Sequence, residues 1–266
     1  NPLADTAPLM RTSMLPGLFA AVARNTSRGN DDLALFEAGR VFLATDTGAA
    51  PMPSVERRPS SAEIAALDAA LPRQPRMLAA VLTGDWTPTG WLGAAEPASW
   101  IHALAFADVV ASVLGLSLER AADEHAPWHP GRCARLTVRV AGQTHVVGYA
   151  GELHPSACRA FGLPARTAAS ELDFDLLLSL FGGPGTIAPV SSHPVAKEDV
   201  ALVVDESVAV ADLEAALREG AGDLLESVAL FDIYRGSQIA AGKKSCAFAL
   251  RFRAPDRTLK DADAAA

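Results

Sequence analysis

Hydrophobic positions along the chain change their period several times, and each change marks an element. In "RTSMLPGLFAAVARNTSRGN", Leu15, Leu18, Phe19 and Val22 recur at helical spacing and predict a helix over Leu15–Arg28. Ser13 is placed to cap it, Pro16 falls in its first turn and Gly29 follows its last. "LALFEAGRVFL" (33–43) predicts a strand, and the Pro-, Ser- and Ala-rich stretch 44–75 predicts a loop with one short helix around "SAEIAALDAAL". "RMLAAVLTG" (76–84) predicts a buried strand. "SWIHALAFADVVASVLGLSL" (99–118) predicts a buried helix ending near Gly115, with the stripe Ile101, Leu104, Ala105 and Val109 as core. "ARLTVRVAG" (134–142) and "THVVGYAGELHP" (144–155) predict a hairpin turning at Gly142-Gln143. A short helix at Ser156–Phe161 and a strand at "ASELDFDLLLSL" follow.

"FGGPGTIAP" (181–189) has the composition of a linker. Beyond it the order simplifies to a strand (198–205), a helix (210–220), two strands (224–235 and 244–253), and the cap and first turn of another helix in "PDRTLKDAD". This β-α-β-β-α order is a ferredoxin-like unit short of its last strand, which leaves 198–205 as an edge. In the last strand Cys246, Phe248, Leu250 and Phe252 share one face. Ser245, Ala247, Ala249, Arg251 and Arg253 share the other, because strand side chains alternate. In "LFDIY" the alternation slips between Leu230 and Phe231, as at a bulge.

The 266 residues are half hydrophobic and one-fifth charged, enough for one or two domains with sizeable cores. A formal charge of −8 argues against general nucleic-acid coating but leaves room for a local basic site. Such a site is visible. Residues 196–226 hold only Lys197 and Arg218 among many acids, whereas 235–260 carry seven Lys and Arg against Asp256 alone. An open sheet face with small residues and flanking cations suits single-stranded RNA; a solvated edge guarded by Lys and Arg has the same pattern. Cys133, Cys158 and Cys246 are odd in number and widely spaced, which reads as reduced thiols. No apolar run is long enough to cross a bilayer as a helix. The chain starts without Met and stops as a helix begins, so both ends read as cuts through a longer protein.

"NPLADTAPLMRTSMLPGL", "NDDLALFEAGRVF", "VVGYAGELHP", "SHPVAKEDVALVVDE" and "LLESVALFDIYRGSQIAAGKKSCAFALRFRAPDRTL" resemble, in this order, the C-terminal half of the β subunit of bacterial phenylalanyl-tRNA synthetases, with actinobacterial wording in "KEDVALVVD". The resemblance implies an α+β chain of two domains. Residues 1–187 would be a catalytic-like, degenerate class II synthetase domain built on an antiparallel sheet. Residues 190–266 would be a ferredoxin-fold anticodon-binding domain missing its last helix and strand. It further implies a cytoplasmic, non-membrane role in an α2β2 assembly with the α subunit and phenylalanine tRNA. In that assembly ATP and Mg²⁺ serve the α subunit's active site, and this chain holds no cofactor or metal of its own.

The residues agree with a non-catalytic copy. A class II site places Arg two strand positions before the Glu of its second motif, and Leu35 stands there before Glu37. No Gly-rich stretch ending in Arg follows, so Glu37 and Arg40 read as a structural ion pair. Pro127, Pro130 and Gly131 break any helix that could array His125, His129 and Cys133 around zinc. Glu152 and His154 lack a third catalytic partner, and no nucleophile elbow or phosphate loop is present. The family reading places the anticodon on the hairpin's small, basic face. Tyr234 would stack, Asp232 and Ser245 would read base edges, and Lys243, Lys244 and Arg251 would meet phosphate or base. Lys197-Glu198 departs from the two arginines common in relatives. The helix carrying Leu15, Leu18, Phe19 and Val22 is the expected subunit contact. Two rival functions remain at this stage: a ferredoxin-like small-molecule sensor, and a pure assembly scaffold.

Overall fold

The computed structural model describes residues 8–44, 50–91, 93–183, 191–236 and 238–259. Its backbone divides into two compact units, Asn1–Gly185 and Thr186–Ala266.

The first unit is a six-stranded, wholly antiparallel sheet. Its strands are β1 (Leu33–Arg40), β2 (Arg76–Thr83), β5 (Leu118–Ala122), β6 (Trp128–Val140), β7 (Gln143–Leu153) and β8 (Ala168–Asp173), in the spatial order β1-β2-β8-β7-β6-β5. A small β3 (Asp85–Thr87) and β4 (Glu96–Pro97) pair beside it. Helices α1 (Leu15–Thr26) and α4 (Pro155–Phe161) cover one face; α3 (Trp100–Val113) and α5 (Phe174–Leu180) cover the other, and α2 (Ser61–Ala69) lies in the loop after β1. Period-two alternation feeds both layers. Ala79 and Val81 of β2 join the α1 core, while Leu82 joins the α3 core. The β6–β7 turn needs two left-handed residues, Ala141 (φ 51°) and Gly142 (φ 78°), as a tight hairpin does.

Three expectations need correcting here. Leu15, Leu18, Phe19 and Val22 are all buried in the chain's own core with Met14, Val81 and Leu153, so they are not free to make a subunit contact. The outward face of α1 is Pro16, Gly17, Ala20 and Arg24. In α3 the sheet-facing positions are Ala103, Ala107 and Ala111, whose small side chains let the helix approach closely; Ile101, Ala105 and Val109 point outward. The hydrophobic pattern of this helix runs all round, so it did not reveal the inner face. In "ASELDFDLLLSL" only Ala168–Asp173 is strand. Asp173 then accepts the Leu176 N–H at 2.9 Å and caps α5.

The second unit is a three-stranded antiparallel sheet, ordered β10-β11-β9, from β9 (Ala196–Asp205), β10 (Leu225–Tyr234) and β11 (Lys243–Phe252). Helix α6 (Val210–Ala221) covers one face, its Leu213 and Leu217 packing against the cluster of Phe248 and Leu250, and a 3₁₀ turn, Gly222–Leu224, leads into β10. Strand β9 is an edge. The expected final helix lies outside the described residues, as does most of the expected linker.

Candidate nucleic-acid interface

The face of the second sheet opposite α6 follows from its register. Tyr234, Ser245 and Val203 form one row across β10, β11 and β9; Asp232, Ala247 and Ala201 form the next. Ala229, Ala249 and Asp199 form the third, and Ser227, Arg251 and Lys197 the fourth. The alanines make a shallow floor, because methyl groups fill little volume above a sheet. Between Leu230 and Asp232 the pairing slips, leaving Phe231 as the extra residue of a bulge. The slip restores Asp232 and Tyr234 to the open face and leaves Phe231 59% exposed at its margin.

Tyr234 leans over the start of the hairpin loop. Its ring and hydroxyl occupy the space that a Cβ on Gly236 would need. Beside it Arg235 grips Glu206 with Nε at 3.0 Å and Nη2 at 2.7 Å, and Lys243 meets Asp205 at 2.8 Å. These pairs hold the Asp205 and Glu206 carboxyls below the usual carboxylate range, chiefly through the hydrogen bond from Lys243 and Arg235 respectively. Both link the end of β9 to the hairpin. At the other end Arg253 meets Glu226 at 3.0 Å and donates to the Ser191 and His193 carbonyls at 3.3 and 3.2 Å.

The structure therefore brings together five of the six residues expected to meet RNA: Asp232, Tyr234, Lys243, Ser245 and Arg251 share one face or its rim. Lys244 does not. Its parity matches Cys246, it is 6% exposed, and its Nζ donates to the Glu206 carbonyl at 3.0 Å. Lys244 is a buried pin for the loop after β9. In exchange the face gains Lys197, where the departure from two arginines had counted against an RNA contact. Lys197 lies opposite Arg251, and neither makes an ion pair among the described residues. The signal was available in "AKEDVALVVD", whose alternate residues Lys197, Asp199, Ala201, Val203 and Asp205 all point to this face. The surface offers an aromatic ring, a carboxylate acceptor, a hydroxyl and two uncommitted cations around a flat floor, which is what a splayed base and its phosphates need.

Elsewhere the expected chemistry dissolves into structure. Glu37 pairs with Arg11 at 2.7 Å, not with Arg40, whose guanidinium donates to the Gln74 carbonyl. Cys133 is buried in the core, its thiol pushed up by desolvation; the His125 ring stacks on Tyr149 and the His129 ring on His154. Among the described residues no group of His, Cys, Asp and Glu could hold a metal.

Residues 1–174 match a family model described as "Phenylalanyl tRNA synthetase beta chain CLM domain", and residues 191–266 match "Ferredoxin-fold anticodon binding domain". Curated relatives include the phenylalanine–tRNA ligase β subunits of Cutibacterium acnes, 54% identical over 264 residues, and Thermobifida fusca, 52% identical over 261. The Streptomyces avermitilis β subunit is 53% identical over 261 residues. These alignments cover 99%, 97% and 97% of this chain but 31% of each relative, so the chain spans about a third of their length.

Proposed function

The chain belongs to the phenylalanyl-tRNA synthetase β-chain family, and from that premise we propose that it is a non-catalytic portion of phenylalanine–tRNA ligase whose second unit binds the tRNA anticodon. The observation that carries the reading is the open face of β10-β11-β9. Tyr234, Asp232 and Ser245 stand around an alanine floor there, and Arg251 and Lys197 remain uncommitted beside it. Tyr234 stacks on an unpaired base, Asp232 and Ser245 meet base edges, and Arg251, Lys197 and Lys243 meet phosphates. Lys243 first has to exchange Asp205 for RNA.

In this reading the first unit is a degenerate class II synthetase-like domain that supports the α subunit in a cytoplasmic α2β2 assembly. The pairing of Glu37 with Arg11, and Leu35 in place of a motif arginine, fit a copy that has given up phosphate chemistry. ATP and Mg²⁺ then act at the α subunit's site. A small-molecule sensor would use the crevice between α6 and the sheet, which Phe248, Leu250, Leu213 and Leu217 fill.

The test measures binding of phenylalanine tRNA by the enzyme assembled with its α subunit. Tyr234→Ala should weaken binding by roughly five- to a hundredfold, the range for one base–aromatic stack. Arg251→Ala and Lys197→Ala should each lower the slope of log affinity against log salt by about one. Unchanged affinity and slope in all three variants would refute the anticodon reading.

A further inference from the structure

The first unit carries a second group of cations, built around a buried carboxylate. Between Trp128 and Cys133 the pairing of β6 with β7 slips, so residues 129–132 loop out opposite Glu152. Gly151 permits this close approach, since a Cβ there would collide with the Arg132 carbonyl. The Glu152 side chain is 7% exposed and lies between two guanidinium groups, with Arg132 Nη1 at 2.6 Å and Arg166 Nε at 3.6 Å. One short, charge-assisted hydrogen bond already serves that carboxylate. Arg166 is the surplus cation, and its side chain is 71% exposed. Its backbone sits at φ 64°, a conformation that costs a non-glycine residue energy.

Two histidines complete the cluster. The His129 and His154 rings stack with centroids 5.9 Å apart. Each Nδ1 accepts a backbone N–H, from Gly131 at 3.0 Å and from Ser156 at 3.1 Å. A nitrogen that accepts carries no proton, so both rings hold their N–H on Nε2. One carboxylate between two guanidinium groups leaves this cluster with a net positive charge, in a chain whose net charge is −8.

We propose that loop 129–132 and the segment 152–166 form an oxyanion site for a phosphate group, held by Arg166 and by the Nε2–H groups of His129 and His154. The shared ligand chemistry is a phosphate with at least two free oxygens, supplied either as a free ion or as a backbone phosphodiester of RNA. The site does not depend on the anticodon face, which lies in the other unit.

Two variants test it while leaving the fold supported. Arg166→Gln leaves Glu152 paired with Arg132, and His154→Asp keeps an acceptor for the Ser156 N–H while removing a donor. Inorganic phosphate is titrated calorimetrically into the full chain, and a labelled RNA duplex without an anticodon loop is followed by anisotropy. Thermal melts confirm that each variant is folded. Phosphate binding that weakens roughly tenfold in both variants supports a free-ion site. Duplex binding that weakens likewise, with no phosphate binding, supports an RNA-backbone site, and it should survive Arg251→Ala. Absence of binding to either probe, or equal affinity in parent and both variants, overturns the proposal.

Discussion

Successive residues of β11 project to opposite faces of the sheet, so two adjacent lysines have different work. Lys243 is exposed beside Asp205, and its ion pair is a surface one. Lys243→Ala should change stability by less than about 0.5 kcal/mol while lowering the salt dependence of tRNA binding. Lys244 is enclosed and its Nζ serves the Glu206 carbonyl. Lys244→Ala removes that bond and the packing of the stem, and should destabilise the second unit by about 1–3 kcal/mol. Urea melts of the two variants separate these roles, and equal midpoints would show that Lys244 is not a structural pin. The parity that divides them was legible in the sequence, because Cys246, Phe248, Leu250 and Phe252 already marked the core face two, four, six and eight residues on. The basic run "KK" drew both lysines to the RNA on charge alone.

At the scale of elements, the best-read segments were those with one clear period. Helices α1 and α6 and strands β9, β10 and β11 fall within a few residues of their expected positions, and the bulge in β10 lies where the alternation slips. The pattern failed where hydrophobicity was not directional or where contact partners lie far apart in sequence. α3 is apolar on all sides, so only the sheet decides that its alanines face inward. β5 was given no element, because its status as a strand depends on pairing with β6. The anchoring of α1 was equally invisible. Glu171 of β8 accepts the Met14 N–H at 2.6 Å and the Ser13 hydroxyl at 3.0 Å, a contact across more than 150 residues.

That anchor has a pH signature. Burial pushes the Glu171 carboxyl up, and the Met14 and Ser13 donors only partly offset this. A carboxyl with a raised folded-state value takes up its proton more readily when folded. Its contribution to stability is therefore largest below the unfolded value and falls as pH rises through the window up to the raised one. Glu171→Gln keeps an acceptor oxygen and removes the charge. Relative to the variant, the parent should lose stability as pH is raised above about 4.5. Urea midpoints of both proteins across pH 4–7 check the sign, and parallel curves would mean that the burial penalty is fully met by the donors. Asp205 and Glu206 act in the opposite direction: their lowered values make the links between β9 and the hairpin strongest above the ordinary carboxylate range and weaker as pH falls below it.

At the scale of the molecule, the buried side chains among the described residues form three clusters, each drawn from one unit. Two flank the six-stranded sheet, and the third lies between α6 and the three-stranded sheet. A core that draws all its members from one unit gains its cooperativity within that unit. The chain should therefore unfold in two transitions, each answering to its own core. Leu18→Ala, on the buried face of α1, should lower the stability of the first unit by about 2–5 kcal/mol and leave the second transition in place. Phe248→Ala, at a fully buried site over α6, should lower the second by about 3–5 kcal/mol and leave the first. Calorimetry of parent and variants distinguishes this from a single cooperative fold, in which both substitutions would move one shared transition. The same experiment bears on function, because an anticodon-binding unit with its own stability would keep its open face intact when α1 is weakened. Leu18→Ala should then bind an isolated anticodon stem–loop as the parent does at temperatures below the second transition. Loss of that binding together with the first transition would tie the open face of β10-β11-β9 to the integrity of the whole chain.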